Sequence, residues 1–192
     1  MKTASSQMGA RLLCFGALVA VNVAAIAGQM VVTDSLPPPS SFEEYWDGSI
    51  AVVRGRVGAS EQRMLGGTPV TGFAVQIAEV LRGPASMEVG QVITVTVPVG
   101  KMVVAGKTVE SRAEGVEALQ SNSEVVLFLE RWPAAGTFGL RHGALGLYRV
   151  DQGEVGVARL AMHWPSAVNR KTLSSAEFLS MVREMKATRP AR

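Results

Sequence analysis

The sequence predicts a mainly β protein: a small antiparallel barrel of five to six strands, with a short helix before it and a helix after it. Three observations support this fold class. Several short runs alternate apolar with polar residues, which is the period of a half-buried strand. Clusters with glycine and proline separate the runs and predict turns. Patterns typical of a helix occur in two places, one near residue 42 and one near the C-terminal end.

The first 27 residues predict a secretory signal peptide. Lys2 and Arg11 form a basic start without acidic residues, residues 12–27 are almost wholly apolar, and Ala25 and Ala27 are the small residues that a cleavage site needs. We expect cleavage rather than a membrane anchor, because 16 residues are short for a bilayer that needs about 20. The expected protein is periplasmic or secreted and has no stable membrane span after cleavage.

Cysteine and charge content exclude several functions. Cys14 is the only cysteine and lies inside the predicted signal peptide, so the expected mature chain has no disulfide, thiolate metal site or cysteine nucleophile. Residues 28–169 carry 11 basic and 14 acidic side chains, while residues 170–192 carry 6 basic and 2 acidic ones. The body of the protein therefore lacks the excess of basic residues that nucleic-acid binding requires.

Residues 28–40 predict a Pro-rich linker, because three consecutive prolines hold the chain extended. Recognition of these prolines by a partner is the alternative. Ser41 and Glu44 have the spacing of a capping box, which predicts a short helix over residues 42–46.

The barrel domain is predicted over residues 41–162, and its first strand is predicted over residues 49–60. Apolar and basic side chains alternate there, so one face is buried and the other carries the arginines. Gly55 falls on the apolar face, which suits a coiled strand at a tight bend. The predicted buried face carries Ala51, Val53, Gly55 and Val57.

Residues 73–97 predict a β-hairpin. Two alternating runs flank a loop rich in glycine and proline, and each run has one apolar face. The alternation breaks near Glu79, where a β-bulge would restore the packing. The predicted buried positions are Phe73, Val75, Ile77, Ile93, Val95 and Val97.

The later strands follow from three further patterns. Residues 124–131 contain five unbroken apolar residues, which predicts a strand covered on both faces. Residues 145–160 predict two short strands around a turn at 151–153. The long connection 99–123 contains a turn signal at 105–107, and a connection of this length either carries function or folds locally.

Residues 163–192 predict a C-terminal segment with an amphipathic helix. Ser174 and Glu177 form a second capping box, and four apolar residues follow at helical spacing. We expect this apolar stripe to pack on the barrel; a helix lying on a membrane surface is the alternative, because the tail is basic. The stripe consists of Phe178, Leu179, Val182 and Met185.

Short strands, a helix-sized gap after the third strand and the lack of long helices indicate an OB-like barrel. Residues 41–150 resemble a recurrent group of exported bacterial proteins of unknown function, through the stretches SIAVVRGRV, AVQIAEVLRGP, VGQVITVTVPVG, SEVVLFLERW and GLYRV. They are similar, more loosely, to the OB-like barrel of netrin-module and metalloproteinase-inhibitor domains. Those inhibitors present an N-terminal cysteine to the protease metal, and the expected mature chain has none. The resemblance therefore implies a fold and transfers no functional residue.

The candidate binding residues are Trp132, Trp164 and His142. Both tryptophans begin a W-P-x-A pattern, and a residue before proline is held extended, which can project its ring outward. Exposed tryptophans stack on sugars or anchor partner proteins. The alternative is that each ring caps the barrel core. His142 lies in a turn next to glycine.

The sequence predicts no catalytic residue, metal or cofactor. His142 and His163 are 21 residues apart, which is no zinc-binding spacing, and neither a G-x-S-x-G motif nor a phosphate-binding loop is present. We therefore expect an exported, non-catalytic β-barrel module that binds a protein or an envelope glycan. The alternative is an extracytoplasmic hydrolase that uses His142 or His163.

Overall fold

The computed structural model describes residues 41–113, 119–134, 136–156 and 172–189. The predicted signal peptide (1–27) and the Pro-rich linker (28–40) lie outside the described residues. The expectations of export and cleavage therefore stay predictions.

Two α-helices, ten strands and a short 3-10 helix at Gly143–Gly146 form the described part of the chain. The helices are α1 (Phe42–Gly48) and α2 (Ser175–Thr188). The first five strands are β1 (Ala51–Leu65), β2 (Thr68–Arg82), β3 (Val92–Val97), β4 (Gly100–Val104) and β5 (Lys107–Ser111). The others are β6 (Glu124–Arg131), β7 (Thr137–Leu140), β8 (Leu147–Arg149), β9 (Glu154–Gly156) and β10 (Thr172–Ser174).

Five strands close into a ring. Hydrogen bonds join β1 to β2, β2 to β3, β3 to β7, β7 to β6 and β6 back to β1, and β8 adds a sixth strand beside β6. All these neighbours are antiparallel except β3 and β7, which run parallel. The ring confirms the predicted mainly β, OB-like architecture. The parallel pair is a feature that the strand pattern did not predict.

β1 is the strand that bends the sheet into a ring. It pairs with β2 along nearly its whole length and with β6 over its first six residues. A side-chain Cβ at Gly55 would lie 2.6 Å from the carbonyl oxygen of Gln76 and 2.8 Å from Cγ1 of Val75. Only glycine fits where β1 and β2 approach so closely, which agrees with the bend predicted there.

The β-bulge predicted near Glu79 is confirmed. Arg54 pairs with Glu79, but the next residue, Gly55, pairs with Ile77, so Ala78 is passed over in the register. The extra residue increases the local twist of β2 and returns its apolar side chains to the inside of the ring.

β6 serves two hydrophobic cores, one on each face. Val125, Leu127 and Leu129 point into the ring, while Val126 and Phe128 point outward beneath the two helices; all five are fully buried. The prediction of a strand covered on both faces is therefore confirmed. The inner core, inside the ring, also includes Val53, Val57, Val75, Ile77, Ile93, Val95 and Val97.

The outer core, between the ring and the helices, is built around the ring of Phe128. Three side chains of α1 contact it, with centroid distances of 5.7 Å for Phe42, 4.8 Å for Tyr45 and 6.4 Å for Trp46. Tyr148 of β8 approaches from the other side at 5.6 Å. Such aromatic pairs contribute about 0.5–1.5 kcal/mol each beyond their buried area, so Phe128 fixes α1 on the sheet.

α1 begins as the sequence predicts and runs two residues further. The side chain of Ser41 accepts a hydrogen bond from the backbone N–H of Glu44, which satisfies one of the free donors of the first turn. The helix ends at Gly48. Because the helix begins at Phe42, all three of its aromatic side chains lie on the face that packs against Phe128.

α2 completes the outer core as the predicted stripe implies. Ser174 and Glu177 form the predicted capping box, and Phe178 and Val182 are fully buried. The ring of Phe178 lies 4.7 Å from that of Tyr148. No helix among the described residues combines the length and the apolar character needed to cross a bilayer.

The two strands predicted around the turn at 151–153 are present, but they do not pair with each other. β8 joins the sheet at β6, whereas β9 pairs with β10 immediately before α2. β9 and β10 therefore connect the start of α2 to the body of the protein.

We expect Phe178→Ala to lower the free energy of unfolding by roughly 3–5 kcal/mol, because a fully buried ring leaves a cavity. Ser174→Ala removes only a helix cap and should cost about 1 kcal/mol. Urea unfolding of both variants measures the two losses. Equal losses, or no loss for Phe178→Ala, would contradict the docking of α2.

We expect Tyr148→Phe to leave the stability unchanged or to raise it by about 1 kcal/mol. The Tyr148 hydroxyl is buried and has no hydrogen-bond partner among the described residues, and this burial raises the pKa of Tyr148 well above its ordinary value. The matched control is Tyr45→Phe, which should lose about 1 kcal/mol because the Tyr45 hydroxyl donates to the Arg141 carbonyl at 2.8 Å. Thermal unfolding of both variants tests the order, and a larger loss for Tyr148→Phe would contradict it.

Candidate functional site

Trp132, the first predicted binding residue, packs on the sheet. Its half-buried ring covers Gly139 of β7, so that a Cβ at that glycine would lie 2.7 Å from Cε3 of the indole. The indole N–H is buried and donates no hydrogen bond within the described residues. This geometry favours the alternative in which the ring caps the core, and a binding role for Trp132 stays a prediction.

His142, the second predicted binding residue, lies in the turn after β7. Its φ of 50° is in the left-handed region, and its half-buried ring lies 5.8 Å from the ring of Tyr45, tilted by 32°. A hydrogen bond fixes this turn to α1, because the hydroxyl of Tyr45 in α1 donates to the carbonyl of Arg141 in the turn. His142 is thus positioned by the outer core.

The other sequence candidates, Trp164 and His163, lie outside the described residues. A binding role for Trp164, and the hydrolase alternative that uses His142 or His163, therefore stay hypotheses. Within the four described ranges, no three side chains of the types histidine, cysteine, aspartate and glutamate come close enough together to hold a metal ion.

A chain of four alternating charges lies where α2 meets the sheet. Arg54 pairs with both Glu124 and Glu79, and Glu79 also accepts two hydrogen bonds from Arg183 of α2, at 2.7 and 3.0 Å. These hydrogen bonds from Arg183, together with the positive charges of Arg183 and Arg54, hold the pKa of Glu79 below its ordinary value. An ionised, fully paired carboxylate is suited to fixing the helix rather than to accepting protons in catalysis.

A groove lies beside the β4–β5 hairpin, where β1 continues beyond its pairing with β6. Its volume is about 280 Å³. The hairpin forms at the turn predicted at residues 105–107, and its strands contact β1 and β2. The groove is lined by Ser60, Gln62, Thr71, Phe73, Val99, Gly100, Ala113 and Leu119.

Two hydroxyl groups hold the wall of this groove. Thr71 of β2 donates to the carbonyl of Val99, which precedes β4, and Ser111 of β5 donates to the carbonyl of Pro69 at 2.9 Å. Both bonds join the hairpin to β2. The groove is therefore shaped by the folded chain before any ligand binds.

None of the lining residues among those that the structure describes is titratable. Two of the polar groups, the hydroxyl of Ser60 and the amide of Gln62, can both donate and accept hydrogen bonds. Phe73, Val99 and Leu119 supply apolar surface. Such a lining can hold a neutral molecule with polar and apolar faces.

Sequence reasoning pointed to the 99–123 connection as functional or locally folded, but it missed Ser60 and Gln62. The signal for these two residues was weak, because residues 58–65 lack a clear alternation and the predicted strand ended at Ser60, before Gln62. Phe73 was predicted to be inward-facing, and it lies at the border between the inner core and the groove.

Comparison with models of known protein families gives no match for the chain, and no curated protein matches its sequence.

We expect Glu79→Gln to lower the free energy of unfolding by about 1 kcal/mol at neutral pH, since it removes the carboxylate shared by Arg54 and Arg183. A depressed pKa stabilises the fold above the ordinary glutamate value of 4.5, and the stabilisation is lost as the pH falls through the lowered folded-state pKa. The difference between wild type and variant should therefore be full at pH 7 and vanish in acid.

The matched control is Glu184→Gln, the same change at an exposed position of α2. It should shift the unfolding free energy by less than about 0.5 kcal/mol. Urea titrations across the pH range measure both variants. A Glu79→Gln effect that persists below the lowered pKa would show that the loss does not come from the charge.

Proposed function

We propose that the chain is an exported, non-catalytic binding module and that the groove beside the β4–β5 hairpin holds a neutral glycan of the cell envelope. The observation that carries the proposal is that the described residues of the lining are uncharged and combine polar with apolar groups. Export follows from the N-terminal sequence and is part of the proposal.

The lining matches the chemistry of a sugar. A sugar unit presents hydroxyl groups around its edge and C–H groups on its faces, so it needs hydrogen-bonding groups beside apolar surface. Ser60 and Gln62 supply the hydrogen-bonding groups, and Phe73 and Leu119 supply the apolar surface. A phosphate or an acidic peptide would find no cation among the described residues that line the groove.

The size of the groove favours a short stretch of a longer ligand. About 280 Å³ lies near the lower end of the range for small-molecule sites, roughly 300–1,000 Å³. The groove can therefore hold one unit or one end of a glycan chain. A protein partner would need a wider contact surface, which makes it the weaker form of the proposal.

The fold gives a second, analogical support. OB-fold barrels bind oligosaccharides and oligonucleotides on the face of their second and third strands and on the adjoining loops. The groove takes Thr71 and Phe73 from β2 and Val99 from the segment after β3, so it lies in the same part of the barrel. Fold analogy alone does not establish a ligand, and the chemistry of the lining is the primary argument.

We expect the exported protein to bind fragments of a neutral envelope polysaccharide, and Gln62→Ala to weaken this binding roughly tenfold, the loss of one good hydrogen bond. The matched control is Gln76→Ala, an exposed glutamine of β2 that does not line the groove. Isothermal titration against a panel of neutral and acidic fragments measures the affinities. Equal losses for both variants, or binding of acidic fragments alone, would refute the groove as the site.

A further inference from the structure

The tip of the β4–β5 hairpin exposes two adjacent valines. Val103 is 72% exposed and Val104 is 41% exposed. In the register of the hairpin, Val103 pairs with Thr108 and Val104 pairs with Lys107, so the two valines lie on opposite faces of the ribbon. The body of the protein therefore covers neither face of the tip.

Cationic side chains flank the valines on both faces. Lys101 precedes Val103 by two residues and shares its face, and Lys107 lies directly across the ribbon from Val104 and shares its face. Both lysines are exposed. The tip thus combines exposed apolar side chains with positive charge.

The acidic residue of the hairpin does not cancel this charge. Glu110 accepts a hydrogen bond from Arg112 at 2.7 Å, and this bond, with the charges of Arg112 and Lys101, lowers the pKa of Glu110. Three basic residues (Lys101, Lys107 and Arg112) minus one acidic residue (Glu110) leave a net charge of +2 for residues 100–112.

We propose that this tip inserts into the surface of an anionic lipid bilayer and so holds the module against the membrane. An apolar surface element enters about 5–10 Å into the boundary between headgroups and acyl chains. Lys101 lies two strand residues behind Val103, or about 7 Å at 3.4 Å per residue. With the valines at that depth, Lys101 lies at the level of the lipid phosphates, and the long side chain of Lys107 can extend from the tip toward them.

A bilayer fits the tip better than a protein partner does. Specific protein interfaces bury about 1,200–2,000 Å², whereas this tip offers two valines and a two-residue turn. A bilayer accepts a small apolar element, provided that nearby cations add to the attraction. The resulting attachment is weak and reversible, as for any single small anchor.

The test is sedimentation of the exported protein with lipid vesicles, after mass spectrometry has fixed its N-terminus. One vesicle type contains phosphatidylcholine with phosphatidylglycerol, and the other contains phosphatidylcholine alone. Wild type should bind the anionic vesicles at least tenfold better. The double variant Val103→Asp/Val104→Asp should lose at least tenfold on the anionic vesicles, and Lys101→Gln/Lys107→Gln should lose about fivefold per lysine.

The matched control is Val89→Asp/Val92→Asp, which changes two valines that are 67% and 60% exposed but lie off the hairpin. This control should bind as wild type does, and equal melting temperatures should confirm that all variants fold. Unchanged binding by the tip variant would overturn the proposal, because another segment would then carry the attachment. So would wild type that shows no preference for anionic vesicles, or a wild-type dimer that the tip variant converts to a monomer.

Discussion

The burial of β6 on both faces is the constraint on which the rest of the structure depends. Its inward side chains fill the ring, and its outward side chains, Val126 and Phe128, require a second layer. α1 and α2 provide that layer, so neither helix is an appendage. Because Phe128 touches three aromatic residues of α1 and one of β8, the helices, the ring and the turn that carries His142 form one packed unit.

The packing also divides the molecule into two chemically different ends. Where α2 meets the sheet, charges are paired in a chain through Arg54, Glu79 and Arg183, and their role is to hold the helix. Near the β4–β5 hairpin the described lining of the groove is uncharged, and the hairpin tip carries exposed valines and lysines. The proposed glycan site therefore lies beside the hairpin that carries the proposed membrane contact, which would present a bound glycan close to the bilayer.

Local patterns in the sequence predicted the elements that depend on neighbours a few residues apart. The limits of β6, the bulge near Glu79 and the capping box of α2 all follow from the spacing of residues in the sequence. The bend of β1 follows from a single residue, Gly55. Features made by distant parts of the chain were not predictable in this way. The parallel β3–β7 pair and the β9–β10 pair each join segments that are well separated in the sequence. The groove belongs to this second kind.

The closure of the ring has a consequence for how the chain folds. The pairing of β1 with β6 extends from the pair Ala51–Leu129 to the pair Arg56–Glu124. The partners in these pairs are 78 and 68 residues apart in the sequence. Closing such long loops costs conformational entropy before the strand contacts can stabilise the chain. Folding is therefore slow relative to that of helical proteins of the same size. Until β6 arrives, the edge of β1 is open to pairing with other chains, and the long β1–β2 hairpin is the part most exposed to aggregation during synthesis.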